Sequence, residues 1–266
     1  MGTQIAIQSV LHGYIIYLHD INQDVLENSK KFISATLRRK KQDNLIENIN
    51  FLLDLSQVVK ESDLIIEAIP ENLELKKEVF RKIENFAKPN AIIATNSSSF
   101  PISRIEDAVQ RKDKVLNIHF YPPISARPMA DIMRGTKTSD ETFNIGIKWI
   151  ESIGCTPLII KKESFGFVFN RIWRAVKKEA LKIWAGGHAD IETVDKAWRI
   201  FTGMPYGPFT MMDGVGLDTV YSVEMSYYKE TGKEDDKPPD ELKKMVERGE
   251  LGLKTGKGFY NWGRKK

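Results

Sequence analysis

The sequence predicts an α/β domain built on a doubly wound parallel sheet, followed by an all-helical domain. Three observations carry that expectation. Short apolar, β-branched runs alternate with helical stretches of ten residues or more up to about residue 162, and strands so separated pair in parallel through crossovers. Beyond residue 164 the strand-like runs stop and only helical periodicity remains. Finally, residues 1–23 have the form of a strand–helix–strand unit entered at its helix: an amphipathic segment from Gly2 to His12, then Gly13, then YIIYLHD ending in an acid.

The elements follow in order. YIIYLHD (14–20) is a strand, and 22–47 is a long segment of helical period that is polar on one side. INFLLDL and DLIIEAI (63–69) are strands rich in branched residues, and ENLELKKEVFRKIENFA (71–87) is the helix that follows. AIIATNSS (91–98), VLNIHFY (115–121), ADIMRG (130–135) and TPLIIKK (156–162) continue the series, with helices at 101–109 and 139–153. SFGFVFNRIWRAVKKEALKIWAGG (164–187) reads as one amphipathic helix stopped by Gly-Gly, and 191–203 and 213–229 are again helical. KEDDKPPDE (233–241) is a polar loop. The domains are therefore placed at 1–163 and 164–266.

Composition narrows the class. At 41% hydrophobic and 29% charged residues the 266-residue chain is globular, and no apolar run approaches the ~18–20 residues that span a bilayer. The single cysteine, Cys155, has no partner for an internal disulfide and no metal-ligand neighbours, which suits a reducing, cytoplasmic setting. A net charge of +4 spread among interspersed acids is a solvated surface, not a nucleic-acid footprint.

A few residues stand out chemically. Asp20 ends its strand eighteen residues after Gly2, where a dinucleotide fold places the acid that binds the adenosine ribose and repels a 2′-phosphate. TNSSS (95–99) follows a buried strand, at the end of the sheet where ligands sit in open α/β folds; serine clusters are equally common as helix caps. His119 ends the VLNIHFY strand, and Asp131 lies twelve residues on in the next strand, near enough to hold a general-base imidazole. Asn170 sits early in the first C-terminal helix, as a structural amide or as one reaching towards a cleft. RRKK (Arg38, Arg39, Lys40, Lys41) reads as a solvated helix face that also suits phosphate groups. His12, His19 and His188 have no comparable context.

Taken together, MGTQIA…GY…LHDIN, IIEAIPENLELKKEVF, TNSSSFPIS, HFYPP, MRGTKTSDET, ESFGFVFNRI, GMPYGPFTMMDGVGLD and GLKTGKGFYNW resemble, in order and spacing, the 3-hydroxyacyl-CoA dehydrogenase family, including the 3-hydroxybutyryl-CoA dehydrogenases. The resemblance covers essentially the whole chain. It implies a Rossmann-type sheet lacking its first strand, NAD as cofactor, and oxidation of a short 3-hydroxyacyl-CoA, such as 3-hydroxybutyryl-CoA, in fatty-acid β-oxidation. It implies His119 as the catalytic base with Asp131 as its partner, and Ser98 and Asn170 at the substrate oxygens. Gly2 and Asp20, with Glu67 and Asn96 on the nicotinamide side, are the implied cofactor residues. Arg38, Arg39, Lys40 and Lys41 are implied to contact CoA, and the helical domain to form a homodimer.

Departures from the pattern add expectations. Asp131 replaces the usual glutamate and is one methylene shorter, so its reach to His119 is expected to need a backbone shift or a water. Pro122 stands where an asparagine is common, which removes an amide near the site. Met1-Gly2 fit the last two positions of the glycine loop, so the natural start is expected upstream and this chain is expected to bind NAD poorly. Two other readings remain open from sequence: a dehydrogenase of a free hydroxy acid or sugar acid, and a non-catalytic acyl-CoA-binding scaffold.

Overall fold

A computed structural model describes residues 1–164 and 166–263 and divides the chain after Val168 into two compact units. In the first, β1 (Ile16–His19) pairs in parallel with β2 (Ile49–Leu52). A second sheet runs in sequence order through β3 (Leu64–Glu67), β4 (Ile92–Thr95), β5 (Val115–Phe120), β6 (Met129–Arg134) and β7 (Thr156–Ile160). The helices are α1 (Gly2–Val10), α2 (Gln23–Arg39), α3 (Leu55–Glu61), α4 (Leu73–Phe86) and α5 (Asp140–Ser152).

Burial explains the strand sequences. Every residue of β4 and β5 is buried, because both faces of this sheet are covered; such strands are mostly apolar, and the polar exceptions Thr95, Asn117 and His119 are each hydrogen-bonded. Alternate side chains serve opposite layers. Ile92, Ala94, Leu116 and Ile118 meet Phe143 and Ile150 of α5. Ile93 and Val115 meet Phe80 and Ile83 of α4. Gly146 lets α5 settle on the sheet, since a Cβ there would lie 2.8 Å from Ile132 and Leu116.

Four expectations need correction. The sheet is not parallel throughout: β6 runs antiparallel to β5. Residues 121–128 connect them, fewer than the dozen or so a parallel crossover requires, whereas α5 returns the chain for the parallel β6–β7 pair. The helix expected at 101–109 is instead two 3-10 turns, Ile102–Arg104 and Glu106–Ala108. There the backbone bonds close three residues apart, Arg104 N to Pro101 O (3.0 Å), Ile105 N to Ile102 O (2.8 Å) and Ala108 N to Ile105 O (2.9 Å), and the leading amides of Ile102 and Ser103 are taken by Asn117 Oδ1 (2.6 Å) and Glu163 Oε1 (3.0 Å). The 22–47 helix ends at Arg39, after which Lys41 takes a left-handed backbone (φ 58°) and a 3-10 turn covers Asp43–Asn48. The long C-terminal helix begins at Phe169, not at 164; Phe165 lies outside the described residues.

Among the described residues no ladder joins β1 to β3. A groove of about 510 Å³ separates them, lined by Ile16 and Leu18 on one side, Leu64 and Ile66 on the other, with Ile5 of α1 and Trp149 of α5. The sheet is thus split beside the element that begins the chain.

The second unit holds α6 (Phe169–Ala185), α7 (Ile191–Thr202), α8 (Pro208–Val215), α9 (Leu217–Thr231) and α10 (Asp240–Glu247) around Leu181, Phe209, Met212, Val220 and Leu242. Two buried aspartates organise it. Asp195 accepts from the amides of Phe209 (2.8 Å) and Thr210 (2.9 Å), capping α8 from another helix. Asp213 accepts from Phe259 N, Tyr260 N and Trp262 Nε1, which clips the final segment to the bundle. No described helix is long and apolar enough to cross a membrane.

Candidate active site

The site begins with the β5–β6 ladder. His119 and Asp131 are register partners, and side chains directly opposite on an antiparallel pair project on the same face. His119 Nδ1 lies 3.1 Å from Asp131 Oδ2, with the histidine 5% exposed and the aspartate fully buried. No bridging water is needed: the two residues are direct register partners, and the shorter carboxylate reaches Nδ1 itself. Donation from Nδ1–H to the carboxylate leaves Nε2 as the acceptor nitrogen, the form a general base requires.

Tyr121 also donates from its phenol to Asp131 Oδ2, and its ring meets the imidazole edge-on at 4.7 Å and 72°. Phe167 stacks on the imidazole at 5.0 Å and 29°. Asp131 Oδ1 has no protein hydrogen-bond partner among the described residues. Neither aromatic was singled out from sequence, although Tyr121 lies two residues beyond His119, the spacing that returns to one side of a strand.

The β4 loop lies beside this cluster. Asn96 Oδ1 accepts from Phe120 N at 2.9 Å, joining the ends of β4 and β5. Ser97 and Ser99 both donate from their hydroxyls to Glu71 Oε1 at 2.5 Å, and Ser98 between them is exposed. Glu67 is buried under the loop. Its carboxylate accepts from Lys76 Nζ (2.8 Å), Thr95 Oγ1 (2.7 Å) and Ile69 N (2.8 Å), and Lys76 also meets Glu71 at 3.2 Å. Burial works to raise the Glu71 carboxyl, but hydrogen bonds from Ser97 and Ser99, with the Lys76 ammonium, hold it below its ordinary value. Lys76 went unnoticed in sequence. Its signal is the position it occupies on the buried stripe Leu73–Lys76–Phe80–Ile83 of α4.

Elsewhere in the first unit, Asp20 follows β1 and accepts from Asn22 N at 3.0 Å. Gly2 opens α1 against Leu18, where an added Cβ would make only an ordinary 3.8 Å contact, so packing alone does not demand glycine. No side chain caps the first turn of α1. An uncapped helix N-terminus near an acid at the end of β1 suits a pyrophosphate and a ribose, and in that respect these residues fit a dinucleotide. Arg38, Arg39, Lys40 and Lys41 are exposed. Arg38 pairs with Asp43 (3.4 Å), while Arg39 and Lys40 border a groove of about 620 Å³ with Gln8, His12 and Pro123. Asn170 lies in the first turn of α6, in the second unit.

Comparison with known proteins places these features in a family. Residues 1–164 match the NAD-binding domain of 3-hydroxyacyl-CoA dehydrogenase, and residues 166–262 match that enzyme's C-terminal domain. The chain is 31% identical to the mitochondrial hydroxyacyl-coenzyme A dehydrogenase of Homo sapiens, over 98% of this chain and 88% of the relative. It is 33% identical to a probable 3-hydroxybutyryl-CoA dehydrogenase of Deinococcus radiodurans, over 98% and 96%. Among solved structures it resembles the (S)-3-hydroxybutyryl-CoA dehydrogenase of Ralstonia eutropha (TM-score 0.91, 29% identity, 99% and 96% covered). A diketoreductase is also similar (TM-score 0.88, 34% identity, 97% and 94% covered).

Proposed function

Because the chain belongs to the 3-hydroxyacyl-CoA dehydrogenase family, whose members are NAD-dependent oxidoreductases, we propose that it oxidises a short 3-hydroxyacyl-CoA to the 3-oxoacyl-CoA. The observation that carries this reading is the buried His119–Asp131 pair in register at the end of the sheet. His119 Nε2 takes the proton of the 3-hydroxyl as the carbonyl forms, and Asp131 holds the ring and stabilises the imidazolium. Bound NAD supplies the hydride acceptor. Ser98 and Asn170 are assigned to the substrate oxygens, and Arg38, Arg39, Lys40 and Lys41 to the phosphates of CoA. On the cofactor side, Gly2 opens the helix end facing the pyrophosphate and Asp20 binds the adenosine ribose. Asn96 and Glu67 line the nicotinamide side, with the Glu67 carboxylate acting through Lys76 and Thr95, which already occupy it.

The test is oxidation of NADH with acetoacetyl-CoA, followed at 340 nm. Turnover that is lost in His119→Ala is expected. Absence of turnover with any 3-oxoacyl-CoA, alongside turnover of a CoA-free dicarbonyl or free hydroxy acid, would replace this reading with a second one, which the likeness to the diketoreductase supports. A cytoplasmic homodimer joined through the helical unit completes the proposal. Ile200 (75% exposed) and Phe201 (93%) at the end of α7 support it, since large apolar side chains left bare in a monomer mark an interface. Sedimentation of the wild type against Phe201→Glu tests it, with a dimer expected for the first and a monomer for the second.

A further inference from the structure

We propose that Tyr121 is a positioning residue of the His119–Asp131 pair, setting how much charge the carboxylate lends to the imidazole. Tyr121 is 5% exposed, and its phenol donates to Asp131 Oδ2, the same oxygen that accepts from His119 Nδ1. Two donors on one oxygen divide its charge. The imidazolium formed when His119 takes a proton therefore leans on a carboxylate already partly neutralised by a fixed dipole.

Geometry gives the phenol a second task. Aspartate has a short side chain, and here its other oxygen, Oδ1, finds no protein partner among the described residues. With Tyr121 in place, Oδ2 is held from two sides, so the carboxylate cannot swing away from Nδ1 without breaking both bonds. The tyrosine ring, edge-on to the imidazole at 4.7 Å, and Phe167, stacked at 5.0 Å, fix the ring plane. Among the described contacts of the imidazole, Asp131 from β6 and Tyr121 just beyond β5 are the titratable groups; Phe167 is apolar.

The kinetic readout rests on the dehydrogenase reading, but a spectroscopic one does not. In Tyr121→Phe, with 3-hydroxybutyryl-CoA and NAD, the acidic limb of the kcat/KM–pH profile is expected to move up by roughly half to one pH unit, the scale of one hydrogen bond to the partner carboxylate. A site-specific 3-fluorotyrosine at 121, whose phenol is the stronger donor, is expected to move it down. In the free chain, the downfield Nδ1–H proton resonance of His119 is expected to shift in opposite directions in the two variants. If Tyr121→Phe does not fold, the fluorotyrosine protein carries the test alone. A limb and a resonance that stay unmoved in the folded variants overturn the proposal. Resonances that move in a chain lacking all dehydrogenase activity uphold it and overturn the dehydrogenase reading instead.

Discussion

His119 and Asp131, twelve residues apart in the chain, face each other as register partners on β5 and β6 with Nδ1 3.1 Å from Oδ2. Because the contact is set by the ladder and not by a flexible loop, it resists small changes elsewhere. Replacement of either partner is expected to lower kcat by about 10²–10⁴-fold while leaving the fold intact. Steady-state assays with circular dichroism on His119→Ala and Asp131→Asn check this. Near-normal kcat in either variant contradicts the assignment.

Lys76 and Glu67 form an ion pair that is almost wholly buried, with side chains 1% and 0% exposed. Removing Lys76 leaves the Glu67 carboxylate buried without its counter-charge. Lys76→Met is expected to destabilise the chain by about 3–5 kcal/mol in denaturant unfolding. Lys76→Met combined with Glu67→Gln is expected to recover part of that loss.

Glu250 receives hydrogen bonds from Arg248 and Lys257, both at 2.7 Å, and they pull its carboxyl down from an ordinary 4.5 to about 2. A group depressed on folding contributes stability above its ordinary value and loses it as pH falls through the folded one. Thermal unfolding of Glu250→Gln is thus expected to lie below wild type at neutral pH. The gap is expected to close between pH 4.5 and about 2. A gap that stays constant across that range refutes the linkage.

Asp20, at the end of β1, accepts from Asn22 N with one oxygen, Oδ1. Its charge is expected to favour NAD over its 2′-phosphorylated form. In fluorescence titrations, Asp20→Ala is expected to weaken NADH binding by roughly 10- to 100-fold, the loss of a charged hydrogen bond, and to narrow the preference over NADPH. Unchanged discrimination excludes the role.

The facing edges of β1 and β3 are not joined by a ladder among the described residues. Backbone amides that point into the groove between them are expected to exchange with deuterium orders of magnitude faster than those of β4 and β5, in native-state exchange followed by NMR. Uniform protection across all seven strands would contradict the split sheet.

Local pattern was enough to locate most of this protein. The runs at 16–19, 92–95 and 115–120 announced strands, since short segments rich in branched and apolar side chains suit the sheet, and 92–95 and 115–120 are buried at every position. The helices expected from 22, 71 and 139 begin within two residues of those positions, where Asn22, Asn72 and Ser139 each accept from amides of their own first turn. His119 and Asp131 were legible as candidates, and the collinear motifs as a family. Partners distant in sequence were another matter. The 101–109 stretch was expected as a helix, yet it closes into 3-10 turns whose leading amides are held by the distant Asn117 and Glu163. Lys76 sits on the inner stripe of α4 and pairs with Glu67, and the Tyr121 phenol donates to Asp131, contacts that no local pattern marks. The sequence by itself determined most of the strands, the longer helices and the His119–Asp131 candidates, because propensity and periodicity act within a few residues. Only the tertiary structure decided the sharing of Asp131 Oδ2 and the division of the sheet, because the first depends on where side chains meet on one face of the ladder and the second on pairing between strands far apart in the chain.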